Sequence, residues 1–237
     1  MVKDMIKLEN KRLMACAELI MSDGCKDRHA ADIGTDHGYL AAYLVQSGIC
    51  LTAVAADINE KPLESAKRTI AEQGLEGSVT ALLSDGLDSV PRGEITHIIC
   101  AGMGGELIAD ILSRCEWAKE CTLILQPMTK PDELREWLFD HGFAVNRELA
   151  RRDGRFVYSV MRAKFSPEGV PYEKDELYLN AGLIDPGEED GAEYIRIAAE
   201  RLKRAGEGIL SADSGSAEGR RRIQVAEKLL SRIGGQL

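Results

Sequence analysis

A chain of 237 residues with an apolar share of 44% is long enough to bury one sizeable core and to carry an appendage. Its formal net charge of −9 argues against a protein that coats nucleic acid by bulk electrostatics, while leaving room for a local basic patch. Six scattered cysteines without a Cys-x-x-Cys pair favour buried, reduced thiols over a metal or disulfide framework.

Lys7, Glu9 and Lys11 stand where a secretion signal would be apolar, and no run approaches the roughly 18 apolar residues of a membrane span, so a cytoplasmic protein is expected. Ile6, Leu13, Cys16, Ala17 and Ile20 suggest an opening amphipathic helix, stopped by Gly24, that caps a sheet. From His29 the pattern reads strand, glycine turn, helix, and then a second strand, Thr52–Asp57, that ends in an acid. Pro62 opens a helix running to about Gln73, and Val79–Leu83 is a third strand closing on Ser84-Asp85-Gly86-Leu87. Thr96–Ala101 forms a fourth strand leading into Gly102-Met-Gly-Gly105 and a helix from Glu106 to about Cys115. Cys121–Leu125 is the fifth, ending at Gln126-Pro127. Alternating strands and helices predict a parallel sheet with crossover helices.

After a helix over about Pro131 to His141, Phe143–Ala150 and Arg155–Met161 flank a turn at Asp153-Gly154, a hairpin signal. A doubly wound, Rossmann-like α/β sheet finished by an antiparallel hairpin is the class I methyltransferase arrangement; a dinucleotide dehydrogenase would more often continue with parallel units. Beyond Lys164 the composition shifts to Pro167, Pro171, Pro186 and several glycines, which places a boundary between a catalytic domain, 1–164, and a helical domain, 165–237. There, Ile195, Ala198, Leu202, Ala205 and Ile209 form one helical seam, over about Asp190 to Leu210. Ile223, Ala226, Leu230 and Ile233 form another, over about Ser216 to Ile233. Such seams pair as an antiparallel coiled-coil hairpin, although packing on the main domain would leave a similar pattern.

In a doubly wound sheet, ligands gather beyond the carboxyl ends of the strands. Those ends deliver Asp32, Gly34, Thr35, Asp36, His37 and Gly38; Asp57, Ile58 and Asn59; Asp85 and Gly86; Gly102, Met103, Gly104 and Gly105; and Gln126 with Pro127. Gly34 permits a sharp turn and Gly38 a close backbone approach, while Asp57 is placed to accept hydrogen bonds from a ribose. The loop lacks the Gly-x-Gly-x-x-Gly fingerprint of dinucleotide folds, and its acids would repel a pyrophosphate but can accept from an amino group. S-adenosylmethionine therefore fits better than NAD. By position Asp85 would meet the adenine amino group of that cofactor, and Ile58 its face. The glycines from Gly102 to Gly105 would admit a planar base, or simply turn the chain; Met103 would pack against an acceptor ring or fill core. His37 serves as a base or orients its loop.

These motifs together resemble the TrmK-type bacterial tRNA methyltransferases, through Arg12-Leu13, Asp32-Ile-Gly-Thr-Asp-His-Gly-Tyr-Leu40, Ala56-Asp57-Ile-Asn59 with Pro62-Leu63, Ser84–Leu87, Ala101–Gly105, and Leu123–Pro127 followed by Leu134-Arg135-x-Trp137-Leu138. Ala41 and Met128 depart from it, at positions where the family often has proline and asparagine. The resemblance implies methylation of N1 of adenine 22, in the tRNA D-loop region, from S-adenosylmethionine. The family's coiled-coil C-terminal domain also matches the paired seams; beside this, a metal-free monomer whose C-terminal helices contact tRNA is expected, with Asp36 and His37 as the side-chain candidates for the reaction and Gly102 to Gly105, Gln126 and Pro127 shaping the base pocket. A small-molecule methyltransferase and a non-catalytic S-adenosylmethionine-binding protein are the alternatives.

Overall fold

The computed structural model describes residues 5–168 and 176–234. Pro171, one of the prolines marking the change in composition, lies outside them. Seven strands form one sheet: β1 (His29–Ile33), β2 (Thr52–Asp57), β3 (Val79–Leu83), β4 (His97–Gly104), β5 (Thr122–Thr129), β6 (Phe143–Asp153) and β7 (Phe156–Phe165), in the order β3-β2-β1-β4-β5-β7-β6. The first five run parallel, β7 joins β5 antiparallel, and β6 closes the edge as its hairpin partner. The strand order reverses between β1 and β4, so the ligand crevice of a doubly wound sheet falls at their carboxyl ends.

Helices cover both faces. On one, α1 (Lys11–Met21), α2 (Tyr39–Gln46) and α3 (Glu60–Gln73) bury Leu19, Ile20, Leu44 and Ile70 with Ile99 and Ile124 of the central strands. On the other, α4 (Gly105–Ser113) and α5 (Pro131–Asp140) pack Ile108, Leu134 and Leu138 against Ile98, Leu123 and Leu125. The Asn10 side chain caps α1 by accepting from the amides of Arg12 and Leu13, satisfying two of the helix's free amino-end donors. Helix α3 starts at Glu60, ahead of the Pro62 start, because a proline in a first turn gives up an amide with no helical partner. All six cysteines are free and five are buried, and burial pushes the Cys16 thiol up to about 12.

The carboxyl-terminal part contains α6 (Glu176–Ala181), which the sequence pattern did not announce, then α7 (Gly191–Ala212) and α8 (Ala217–Ile233), an antiparallel pair. Their core includes Ala150 of β6, with Val157 of β7 packed against it, so the base of the hairpin rests on the sheet. The seam of α8 is rotated from its expected face: Val225, Ala226 and Leu229 are buried, whereas Leu230 is 37% exposed. Glycines crossing near the tip set that angle. A Cβ on Gly206 would lie 2.7 Å from the Gly219 carbonyl oxygen, an approach that only glycine allows.

Candidate active site

The loop after β1 is pinned against β2, because the amides of Gly34 and Thr35 both donate to the Ala56 carbonyl, at 2.8 and 3.0 Å. Gly34 has φ +74°, and a Cβ there would sit 2.2 Å from the Met103 methyl. Met103 thus packs on the loop and on the core beneath it. Gly38, at φ +69°, precedes α2, and a Cβ on it would lie 3.0 Å from that of Ala66. Beside this turn opens a cleft of about 420 Å³ lined by Asp32, Gly34, Thr35, Asp36, His37 and Gly102, together with Asn10, Arg12, Leu13, Tyr39, Leu40 and Ala101.

Asp32 is nearly inaccessible, and burial pushes its carboxyl up to about 6 even though the Thr35 hydroxyl donates to it at 2.9 Å and the Ala41 amide also bonds to it. A buried acid held short of full ionisation is poised for a cationic partner. Asp36 and His37 face solvent at the mouth, 3.4 Å apart, with the His37 ring stacked on Tyr39 at 5.3 Å.

The other expected residues form the cleft's frame and flank. Asp57, Ile58 and Asn59 follow β2; one Asp57 oxygen accepts from the Asn59 amide at 2.7 Å, and Ile58 is 60% exposed. Asp85 accepts from Arg114 at 3.1 Å, and Gly86 turns beneath Ile111 with φ +57°. Gln126 is fully buried: its Oε1 accepts from the Gly102 amide at 3.0 Å and from Arg12 at 2.7 Å, and its Nε2 donates to the Pro127 carbonyl. It therefore sets the Gly102 turn from behind. Gly104 and Gly105 let the end of β5 close in, since a Cβ on Gly105 would lie 2.4 Å from the Lys130 carbonyl oxygen.

Arg12 is the residue whose role spacing did not reveal. Its guanidinium bridges three segments, donating to Gln126, pairing with Asp153 at 2.7 Å and lying 5.2 Å from the centre of the Tyr158 ring. The Arg-Leu pair of the motif was its one sequence signal. Elsewhere several arginines are engaged in ion pairs: Arg151 with Glu18, Arg152 with Asp190, Arg221 with Glu176 and Glu218, and Arg222 with Glu218.

A seven-stranded sheet of this order, with a glycine-turn cleft at its switch point and acids after its first three strands, defines a class I methyltransferase. The chain matches a methyltransferase domain family over residues 9–161. It is 34% identical over 177 residues to the tRNA (adenine(22)-N(1))-methyltransferase of Bacillus subtilis, covering 74% of this chain and 72% of the relative. The TrmK structure from M. capricolum, solved with S-adenosyl-homocysteine, superposes with a TM-score of 0.77 at 26% identity over 97% of this chain and 100% of that one. A Streptococcus pneumoniae structure containing S-adenosyl-L-methionine gives 0.76 at 26% identity, over 93% and 98%. The chain belongs to the tRNA (adenine(22)-N(1))-methyltransferase family. Among the described residues no helix is long and apolar enough to cross a membrane.

Proposed function

We propose that the protein transfers a methyl group from S-adenosylmethionine to N1 of adenine 22 in the D-loop region of tRNA, acting as a metal-free monomer in the cytoplasm. The observation that carries this reading is the cleft itself, whose buried Asp32 carboxyl and β-carbon-free turn suit the amino-acid end of that cofactor. Asp32, Gly34, Thr35, Asp36, His37, Gly38 and Gly102 would hold that end, while Asp57, Ile58, Asn59, Asp85 and Gly86 would hold the adenosine end. When bound, the cofactor supplies an electrophilic sulfonium methyl group.

Adenine N1 carries a lone pair and no proton, so the acceptor needs no general base. The protein's work is then to orient the base and to favour the positive charge that it gains. We assign this work to Asp36 and His37 at the mouth, with Gly102 lining the cleft, Met103 to Gly105 packing behind it, and Gln126 and Pro127 fixing the Gly102 turn. N1 lies on the Watson–Crick edge, so a paired or stacked target must first be exposed. The segment 165–237 is proposed as a separate helical domain that adds a tRNA-contacting surface. After reaction, nucleoside digests of tRNA should contain 1-methyladenosine, and methyl groups found only at N6 would overturn the proposed chemistry.

A pH dependence follows from Asp32. Its folded carboxyl, at about 6, lies above the roughly 3.9 of an unfolded chain. The stability it contributes is therefore fully present below about pH 4 and is lost as pH rises through about 6. A cofactor ammonium prefers the ionised acid, so it competes with the proton. Titration calorimetry should find cofactor binding roughly tenfold weaker at about pH 5 than at about pH 7.5. A flat profile would remove Asp32 from contact with the ammonium.

A further inference from the structure

Strand β7 begins with aromatic residues at alternate positions, so Phe156 and Tyr158 project from the same face of the sheet. Their rings lie 6.1 Å apart, and Phe156 is 51% exposed. Arg155 lies 4.8 Å from the centre of the Phe156 ring, and Arg12 caps Tyr158 at 5.2 Å. The result is a ladder running from the hairpin tip to a residue of the cleft wall. Phe156 pairs with Asp153 through its backbone, a role that any strand residue can fill, and the hairpin turn itself uses Gly154, at φ +59°. Among the described residues Arg155 has no acidic side chain within ion-pair distance, whereas most arginines of this chain do.

We propose that Phe156, flanked by Arg155, is a stacking platform for an unpaired nucleobase next to the methylated adenine. The inference rests on tRNA being the substrate. A base offers a planar π-face to Phe156, and the phosphate beside it suits the Arg155 guanidinium, which lies over that ring and pairs with no acidic side chain among the described residues; stacking of this kind tolerates any base and is strong enough to matter. Arg12 makes the platform continuous with the site, because it touches both Tyr158 and the cleft. A strand whose target base is drawn into the cleft would have its neighbour splayed onto this ladder, which offsets part of the cost of unstacking.

The test compares wild type, Phe156→Ala and Phe156→Trp on unmodified tRNA transcripts and on transcripts with an abasic nucleotide on either side of the target. Phe156→Ala should weaken tRNA binding on the order of tenfold with cofactor affinity and melting temperature unchanged, and Phe156→Trp should restore it. One of the abasic transcripts should cost the wild-type enzyme a similar factor and cost Phe156→Ala nothing more. Wild-type affinity in Phe156→Ala, or losses that simply multiply for both abasic positions, would overturn the platform while leaving the methyltransferase reading intact. Failure of the wild-type enzyme to methylate any transcript would instead remove the reading on which the platform stands.

Discussion

Replacing Arg135 by methionine is expected to cost the fold roughly 3–5 kcal/mol, the penalty for leaving a buried charge without its partner. Arg135 comes from α5 and is fully buried, donating from Nε to Glu148 of β6 at 2.9 Å, from Nη1 to the Leu179 carbonyl at 3.1 Å and from Nη2 to the Tyr194 hydroxyl at 3.1 Å. Burial alone would pull its pKa down, but the Glu148 charge and the Tyr194 hydroxyl more than offset this and hold it charged. The second Glu148 oxygen accepts from the Leu183 amide, and Gly182, at φ +56°, leaves the room that a β-carbon would take. One ion pair therefore joins α5 and β6 of the catalytic part to α6 and α7. Changing both residues, Arg135→Met with Glu148→Leu, should recover much of the loss, since a buried pair and an apolar pair of similar volume are often close in stability. Urea unfolding of the two single variants and the double variant checks this. A single-variant loss below about 1 kcal/mol would show that the pair does not hold the parts together.

The second large effect is on cofactor affinity. Asp57→Ala should weaken S-adenosylmethionine binding by at least roughly 100-fold, because hydrogen bonds to a charged acceptor contribute about 1.5–3 kcal/mol and a ribose diol makes two. One Asp57 oxygen is already committed to the Asn59 amide and side chain, at 2.7 and 3.2 Å, which fixes the carboxylate's direction at the end of β2. Asp57→Asn, which keeps an acceptor for that turn and loses the charge, should fall in between. Calorimetric titration of the three proteins decides the matter, and an affinity within twofold of wild type in Asp57→Ala would place the ribose elsewhere.

The parallel half of the fold was legible because its strands are short apolar runs, the central ones largely buried, and the first four are closed by glycine or acid. The hairpin gives a sequence signal over only part of its strands, which run from Phe143 to Asp153 and from Phe156 to Phe165. Its outer residues, Arg151 to Asp153, are polar, and their strand character depends on pairing with Tyr158, Val157 and Phe156. Helix α6 spans six residues, too few to display a period. In α8 the apolar pattern allowed two neighbouring faces, and the Gly206–Gly219 crossing selected the one with Leu229 inside.

The turn residues of the site were legible for a simpler reason: a glycine at positive φ and an acid at a strand end are local features. Arg12 and Arg135 were not, since a charged residue in an amphipathic helix reads as solvent-facing. Their partners, Gln126, Asp153 and Glu148, lie far enough along the chain that only the tertiary fold brings them together. Gln126, expected to shape the base pocket, is fully buried and holds the Gly102 turn, a contact that only the tertiary fold displays.

The central claim is tested most directly by transfer of labelled methyl from S-adenosylmethionine to unmodified tRNA transcripts that differ only in carrying adenine or guanine at position 22. Label on the adenine transcript alone is the predicted result. Label on both, or on neither while the cofactor still binds, would contradict the assignment of adenine 22 as the methyl acceptor.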